Sequence, residues 1–261
     1  MVVENLQRAW RRRLALRTFG WFTASAFFVW ALRWSEFDLG ALVQAGPRFA
    51  EFFTRLVPPD WSVTALVIHS TVETLMIALA GTAIAVVVAL PLGFLAASNV
   101  TPAWVAHPVK WALGAMRSIP LIVVAMLCVA SVGLGPFPGM LAIAFHSVGM
   151  LGKFYAEEFE TAERGILNAV RGTGARWSQT LRYGLFPQSV PQVVSFTVYR
   201  LEMNFRDAAV LGLVGAGGIG YYIQIYVRGF QYDKVAVLLV VIIAVVTLLD
   251  QLTFWVRRSV R

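Results

Sequence analysis

From residue 64 to residue 97 the chain runs without a lysine, an arginine or an aspartate, and only His69 and Glu73 can carry charge. A helix of about 20 apolar residues already crosses roughly 30 Å of hydrocarbon, so this stretch is longer than a bilayer requires. It is expected to tilt, to extend beyond the membrane, or to bend near Gly81 or Pro91. Inside lipid, backbone polar groups must pair within the segment, which selects a helix.

The rest of the chain agrees. Of 261 residues, 58% are hydrophobic and 14% charged, and the mean hydropathy is +0.69; that excludes an ordinary soluble domain. The reading is an all-α integral membrane protein with about six transmembrane helices, at residues 18–32, 64–97, 111–134, 137–154, 190–214 and 235–256. Residues 1–17 form a basic tail, and 18–261 a single transmembrane domain. The first span is short because Arg17 and Arg33 bracket it, and Trp10, Trp21, Trp30 and Trp34 suit interface anchoring. It is not read as a cleaved leader, since Trp, Phe and Arg fill the positions where small residues would be needed. Residues 133–139, with Pro136 and Pro138, read as a tight hairpin between the third and fourth spans.

Six spans put both termini on one side. That side collects Arg8, Arg11, Arg12, Arg13, Arg17, Lys110, Lys153, the four arginines of 155–192, and Arg257, Arg258 and Arg261, which are 14 of the 22 basic residues. The other side has Arg33, Arg48, Arg55, Arg228 and Lys234, offset by Glu36, Asp38, Glu51, Asp60 and Asp233. Both termini and the 155–192 region are therefore expected in the cytoplasm. The basic balance is accounted for by this bias and by anionic headgroups, so the lipid bilayer is the expected partner and nucleic acid is not.

Catalytic signals are missing. Cys128 is a lone cysteine, and His69, His107 and His146 are scattered without a metal-ligand spacing, so no metal site and no catalytic residue is assigned. Gly215, Gly217 and Gly220 satisfy a dinucleotide-type GxGxxG, but they follow a membrane span and no parallel-sheet pattern surrounds them. They read instead as a flexible break, or as a close backbone approach near a pathway.

The polar interruption at 155–192 reads as helix, turn, helix. Phe159, Ala162, Ile166 and Ala169 recur at three- and four-residue spacing, which places them on one helical face, with Glu157, Glu158, Glu160 and Glu163 at its favourable start. Gly172 and Gly174 break that helix, and Ala175, Trp177, Leu181 and Leu185 begin a second stripe before Pro187 and Pro191.

Here the residues resemble a family. Asn168-Ala169-Val170, Gly174-Ala175, Gln179 and Phe186-Pro187 resemble the coupling signature of ABC importer permeases, with Asn168 in place of the acid and Phe186 in place of the usual leucine. Arg117-Ser118-Ile119-Pro120, Gly133-Leu134-Gly135-Pro136, Leu151-Gly152-Lys153 and Val210 through Gly220 are similar to phosphonate-uptake permeases. The resemblance implies a type I importer permease with a cytoplasmic coupling helix pair, in the plasma membrane of a bacterium. Asn168, Ala169, Val170, Gly172, Gly174, Ala175, Gln179, Phe186 and Pro187 would dock on an ABC ATPase dimer. It further implies a second permease copy and an extracytoplasmic substrate-binding protein. No cofactor is implied in this chain, Mg-ATP residing in the ATPase.

Ionisable groups within spans mark pathway candidates, because they are expensive in hydrocarbon. Arg200, Asn204 and Arg206 lie in the fifth span with Glu202 and Asp207, and Glu202 and Arg206 have ion-pair spacing. Arg200 has no acid at favourable same-helix spacing, and Arg117, beside Ser118, has none nearby. Either guanidinium could attract a phosphonate or phosphate oxyanion. Glu73 and His69 are possible partners for them. Import of another small solute such as an amino acid, and an ion-gradient-driven carrier using Glu73, Glu202 or Asp207, are the alternatives.

Overall fold

The computed structural model describes the backbone of residues 2–260 and the side chains of residues 10 and 16–258. Arg8, Arg11, Arg12, Arg13 and Arg261 of the two basic tails lie outside the described side chains. Helices and turns make up the described residues, without a strand. The chain separates into one compact unit ending at Thr54 and another beginning at Arg55.

The first unit holds α1 (Val2–Trp34), which is unbroken across residues 17 and 18, and α2 (Leu39–Arg55). Phe27, Trp30 and Trp34 line one edge of α1 at 5.6 and 5.7 Å between successive rings. Helix α2 was not expected; its apolar residues are too interspersed with charge to read as a span.

Near the start of the second unit the Asp60 carboxylate accepts the Ser62 N–H at 2.9 Å and caps a short turn, Trp61–Val63. The helices that follow are α3 (Thr64–Ala96), α4 (Ala103–Ser118), α5 (Leu121–Val132) and α6 (Pro136–Thr161). Then come α7 (Arg164–Gly172), α8 (Trp177–Thr180), α9 (Phe186–Leu211), α10 (Gly218–Arg228) and α11 (Tyr232–Val260). Residues Leu181–Leu185 form a π-helical turn that joins α8 to α9.

Among the described residues, two helical stretches are long and apolar enough to cross a membrane, Trp61–Ala96 and Tyr232–Arg258. Two bent pairs raise this to four: α4 with α5, at 83°, and Trp177–Val214 with α10, at 43°. The expected span at 137–154 lies within α6, which is the centre of the unit and packs against α3, α4, α5 and α9. A helix surrounded by protein can carry Gly, Ser and His in place of lipid-facing aliphatics. At Gly81 a Cβ would lie 2.7 Å from Ile143 Cγ2, and at Gly93 it would lie 2.8 Å from Tyr155 Cβ, so two glycines of α3 set how closely α6 approaches.

Three local expectations are corrected, and the long second span is seen as one helix. The stretch at 111–134 is not one straight span: the chain turns at Ser118-Ile119-Pro120, because the residue before a proline is pushed into extended backbone, and Ile119 has ψ 122°. The long second span is the single helix α3, with Pro91 inside it. Phe159, Ala162, Ile166 and Ala169 do not share one helix, since α6 ends at Thr161 and Ala162 is extended. Glu157, Glu158 and Glu160 accordingly sit at the C-terminal end of α6, where the dipole disfavours them, and Glu160 is compensated by other contacts described below.

Candidate functional site

Two groups of the expected residues are brought together. The first is the link between these helices. Helix α7 ends at Gly172, and Gly174 takes φ +81° with its N–H on the Arg171 carbonyl at 3.0 Å. Gln179 Oε1 accepts the Arg176 N–H at 2.8 Å and fixes the start of α8. Leu167 and Leu185 are buried beneath, whereas Ile166, Trp177 and Tyr183 are exposed, Trp177 by 58%. The burial pattern thus selects Leu167, not Ile166 and Ala169, as the inward face of α7. Asn168 and Ala169 face outward, and Val170 and Ala175 are half-buried. Asn168 lines a 300 Å³ hollow with Asn99, Arg164, Leu167 and Arg171.

This outward helix pair is braced at its base. Phe186, the first residue of α9, meets Phe94 edge-on, and Phe94 stacks on the buried Phe159. Pro187 follows as the second residue of α9; the Phe186 N–H still bonds the Leu181 carbonyl of the π-helical turn, and Pro187, having no N–H, cannot continue that pattern. Gln188 ties both arms: its Oε1 accepts the Glu163 N–H at 2.9 Å, and its Nε2 donates to the Gly184 carbonyl at 2.6 Å. Glu160 Oε1 accepts the Ser98 N–H at 2.6 Å and pairs with Lys110 Nζ at 2.6 Å. Burial pushes the Glu160 carboxyl up, but the hydrogen bonds from Lys110 and Ser98 outweigh it and hold the group below the usual glutamate range. Gln188, Phe94 and the Glu160 contacts were not foreseen; only the LP-like Phe186-Pro187 pair hinted at a constrained junction.

The second group lies between α3, α6 and α9. Arg200, 4% exposed, donates through Nε to Ser147 Oγ at 3.0 Å and lies 3.3 Å from Asp207 Oδ2 and 3.0 Å from His146 Nδ1. Its other terminal nitrogen reaches Met150 Sδ at 3.3 Å. The expectation that Arg200 lacks an acid is therefore corrected: Asp207, two helical turns on, is its partner. Asn204 is fully buried and donates to Thr82 Oγ1 at 2.7 Å while accepting from Ser147 at 3.0 Å. Three helices share this network, which leaves neither Arg200 nor Asn204 with an open face.

Arg206 pairs with Glu202 at 2.9 Å, as its spacing predicts, and with Asp250 of α11 at 2.7 Å; Arg257 lies 3.5 Å from Glu202. Glu73 accepts the Gly218 N–H at 3.2 Å, and Thr74 accepts that of Ile219 at 2.9 Å, so α3 side chains cap α10. Among the described residues no ion pair joins Glu73 or His69 to an arginine of the same chain; His69 is exposed. Arg117 is exposed at the α4–α5 bend, also without an ion pair among the described residues. Ser118 beside it donates to the Ala115 carbonyl and lines an open 710 Å³ groove with Lys110, Trp111, Gly114 and Lys153. The glycines 215, 217 and 218 take positive φ and make the close turn between α9 and α10, in keeping with the backbone-approach reading.

No group of three or more His, Cys, Asp or Glu suited to a metal occurs among the described residues. A family model, the binding-protein-dependent transport system inner membrane component, matches residues 89–261, a stretch that includes the α7–α8 link and the Arg200 network. The chain belongs to this family. An inner membrane component of this kind is a transport subunit and not an enzyme. The phosphite transport system permease protein PtxC of Stutzerimonas stutzeri is 40% identical over 226 residues, 85% of this chain and 81% of that one. The phosphate-import permease protein PhnE of Mycolicibacterium smegmatis is 36% identical over 240 residues, 90% of this chain and 44% of that one. A solved inward-facing structure of the MetNI methionine ABC transporter matches with a TM-score of 0.69 at 22% identity, over 77% of this chain and 99% of that one. At that identity it shows the fold alone, an all-helical one.

Proposed function

We propose that this inner membrane component is the permease subunit of an ABC importer that carries a phosphonate-like, phosphite or phosphate oxyanion into the cell. The observation that carries the reading is the 40% identity to a phosphite permease across most of both chains. In this reading two copies of the chain form the pathway in the bacterial plasma membrane, with both termini cytoplasmic. Mg-ATP is hydrolysed on a separate ATPase dimer, and an extracytoplasmic binding protein selects the cargo.

The α7–α8 pair is the lever. Its exposed Ile166, Trp177 and Tyr183 give an apolar docking face, and its base is held to α3, α6 and α9, so a displacement of the pair moves three helices as a body. A network that locks α3, α6 and α9 together through Arg200 and Asn204 favours such rigid-body motion over local bending. Arg117, exposed at the α4–α5 bend, is the pathway cation in this reading, while Arg200, Asn204 and Arg206 keep the helices in register.

The test is uptake of labelled phosphite, phosphate and methylphosphonate into proteoliposomes holding this chain, its ATPase and its binding protein, with ion gradients collapsed. Accumulation that needs both ATP and the binding protein is expected. Uptake driven by an imposed gradient without ATP would overturn the reading in favour of a carrier, and ATP-dependent uptake of an amino acid alone would overturn the cargo.

A further inference from the structure

Helix α2 has no buried residue along its 17 positions. Leu39, Leu42, Val43, Phe49 and Phe53 fall on one face at the helical turn of about 100° per residue, each more than 60% exposed. The opposite face carries Gln44, Arg48, Glu51 and Arg55. The start is fixed, since Asp38 Oδ1 accepts the Gly40 N–H at 2.7 Å. A helix of this length is marginal in water by itself, and an apolar stripe of aromatic and branched residues needs a surface to cover it.

Its position in the chain says which surface. Residues 35–38 alone separate α2 from α1, whose last turns expose Phe27, Phe28, Trp30 and Trp34. Among the described residues, helix α1 is not one of the stretches long and apolar enough to cross by themselves; taking its residues 18–32 as the expected first span, Arg33 and Trp34 mark the headgroup level, where such residues anchor. A four-residue link reaches at most about 14 Å, so α2 must begin at or near that level. It cannot turn back through the bilayer, because Arg48 and Glu51 would lie mid-span.

We infer that α2 lies in the plane of the membrane surface at the end of α1, with its Leu42, Phe49 and Phe53 stripe in the headgroup–acyl boundary of phospholipid. Arg48 and Arg55 then face the headgroups and water. This would add a second anchor to a first span that is short and bracketed by arginines. It lies outside residues 89–261, so it is a feature of this chain beyond the matched family region.

The test places bimane on single cysteines in the full-length chain carrying Cys128→Ala, reconstituted in phosphatidylcholine–phosphatidylglycerol liposomes. Leu42→Cys and Phe49→Cys should emit at shorter wavelength than Gln44→Cys and Arg48→Cys. They should be quenched at least about threefold more by lipid with a nitroxide high on the acyl chain than by aqueous iodide, as for a helix seated 5–10 Å deep. Equal iodide quenching of all four would overturn the inference. So would protection at Leu42 and Phe49 that appears only when the binding protein is added, or that rises with chain density, since either assigns the stripe to protein. Adding Phe53→Glu to the Leu42→Cys chain should weaken its lipid quenching; unchanged quenching would likewise count against the stripe as the anchor.

Discussion

Phe94 stacks face to face on Phe159, with ring centroids 4.2 Å apart and planes 10° from parallel. Phe186 completes the group, edge-on to Phe94 at 5.1 Å. The three rings come from the last turns of α3 and α6 and the first of α9, so they close the loop of chain that contains α7 and α8. With Gln188 bridging Glu163 and Gly184, they make the base of the helix pair stiffer than its tip.

Phe94→Ala removes both ring contacts from a half-buried position. A cost of about 2 to 4 kcal/mol is expected, from lost burial and lost ring pairing. The melting temperature of the purified chain should fall, and the ratio of cargo moved to ATP hydrolysed should fall with it. Phe94→Leu, which keeps the burial, should recover most of the stability and little of the coupling ratio if ring geometry matters.

Gly174 offers a cleaner separation of backbone from packing. A Cβ there would meet nothing within 4 Å, yet its φ of +81° disfavours any β-branched residue. Gly174→Val should cost about 1 to 2 kcal/mol and uncouple hydrolysis from uptake, whereas Gly174→Asn, which tolerates left-handed backbone, should stay close to the parent. Gly172, within α7 and equally unobstructed, should accept Ala without loss. Equal uptake by Gly174→Val and Gly174→Asn chains would remove the turn from the coupling argument.

What the sequence made legible follows from the range of the interactions. Helices α3 and α11 announce themselves through long apolar runs, and the Glu202–Arg206 pair through its four-residue spacing. The bend at Pro120 was passed over because apolar residues continue on both sides of it. Arg200 looked unpaired because its acid is seven residues away and its other partners, His146, Ser147 and Met150, are on α6. The stripe from Phe159 to Ala169 had helical periodicity, but Ala162 interrupts it; periodicity does not register one extended residue. Helix α10 was hidden by its glycines, whose start is held by Glu73 and Thr74 on a distant helix.

Glu160 gives a pH dependence with a definite sign. Its carboxyl is held below the usual glutamate range in the folded chain. A depressed acid stabilises fully above its unfolded pKa, and that contribution is lost as pH falls through the folded value. The Lys110–Glu160–Ser98 junction should therefore be intact at neutral pH and weaken only as the pH falls below the ordinary glutamate range. Thermal melts of the parent and of Glu160→Gln should differ at pH 7 and converge in acid; a difference that grows in acid would contradict the assignment.

Arg117 and Arg200 should part company when each is changed to Gln. Arg200 is buried and engaged with Asp207, His146 and Ser147. Asp207 keeps 35% of its side chain exposed, so it stays partly hydrated when Arg200 is lost, and a cost of about 1 to 3 kcal/mol is expected. Arg200→Gln should therefore lower the yield of folded chain and its melting temperature, and Asp207→Asn should do likewise. The double variant should cost less than the sum of the two, since the residues share one interaction. Arg117 is exposed and unpaired among the described residues, so Arg117→Gln should leave melting and ATPase assembly unchanged while slowing uptake by about tenfold, the loss of roughly 1.4 kcal/mol of oxyanion attraction. Normal uptake by Arg117→Gln would take it out of the pathway, and normal stability of Arg200→Gln would return that residue to the list of cargo contacts.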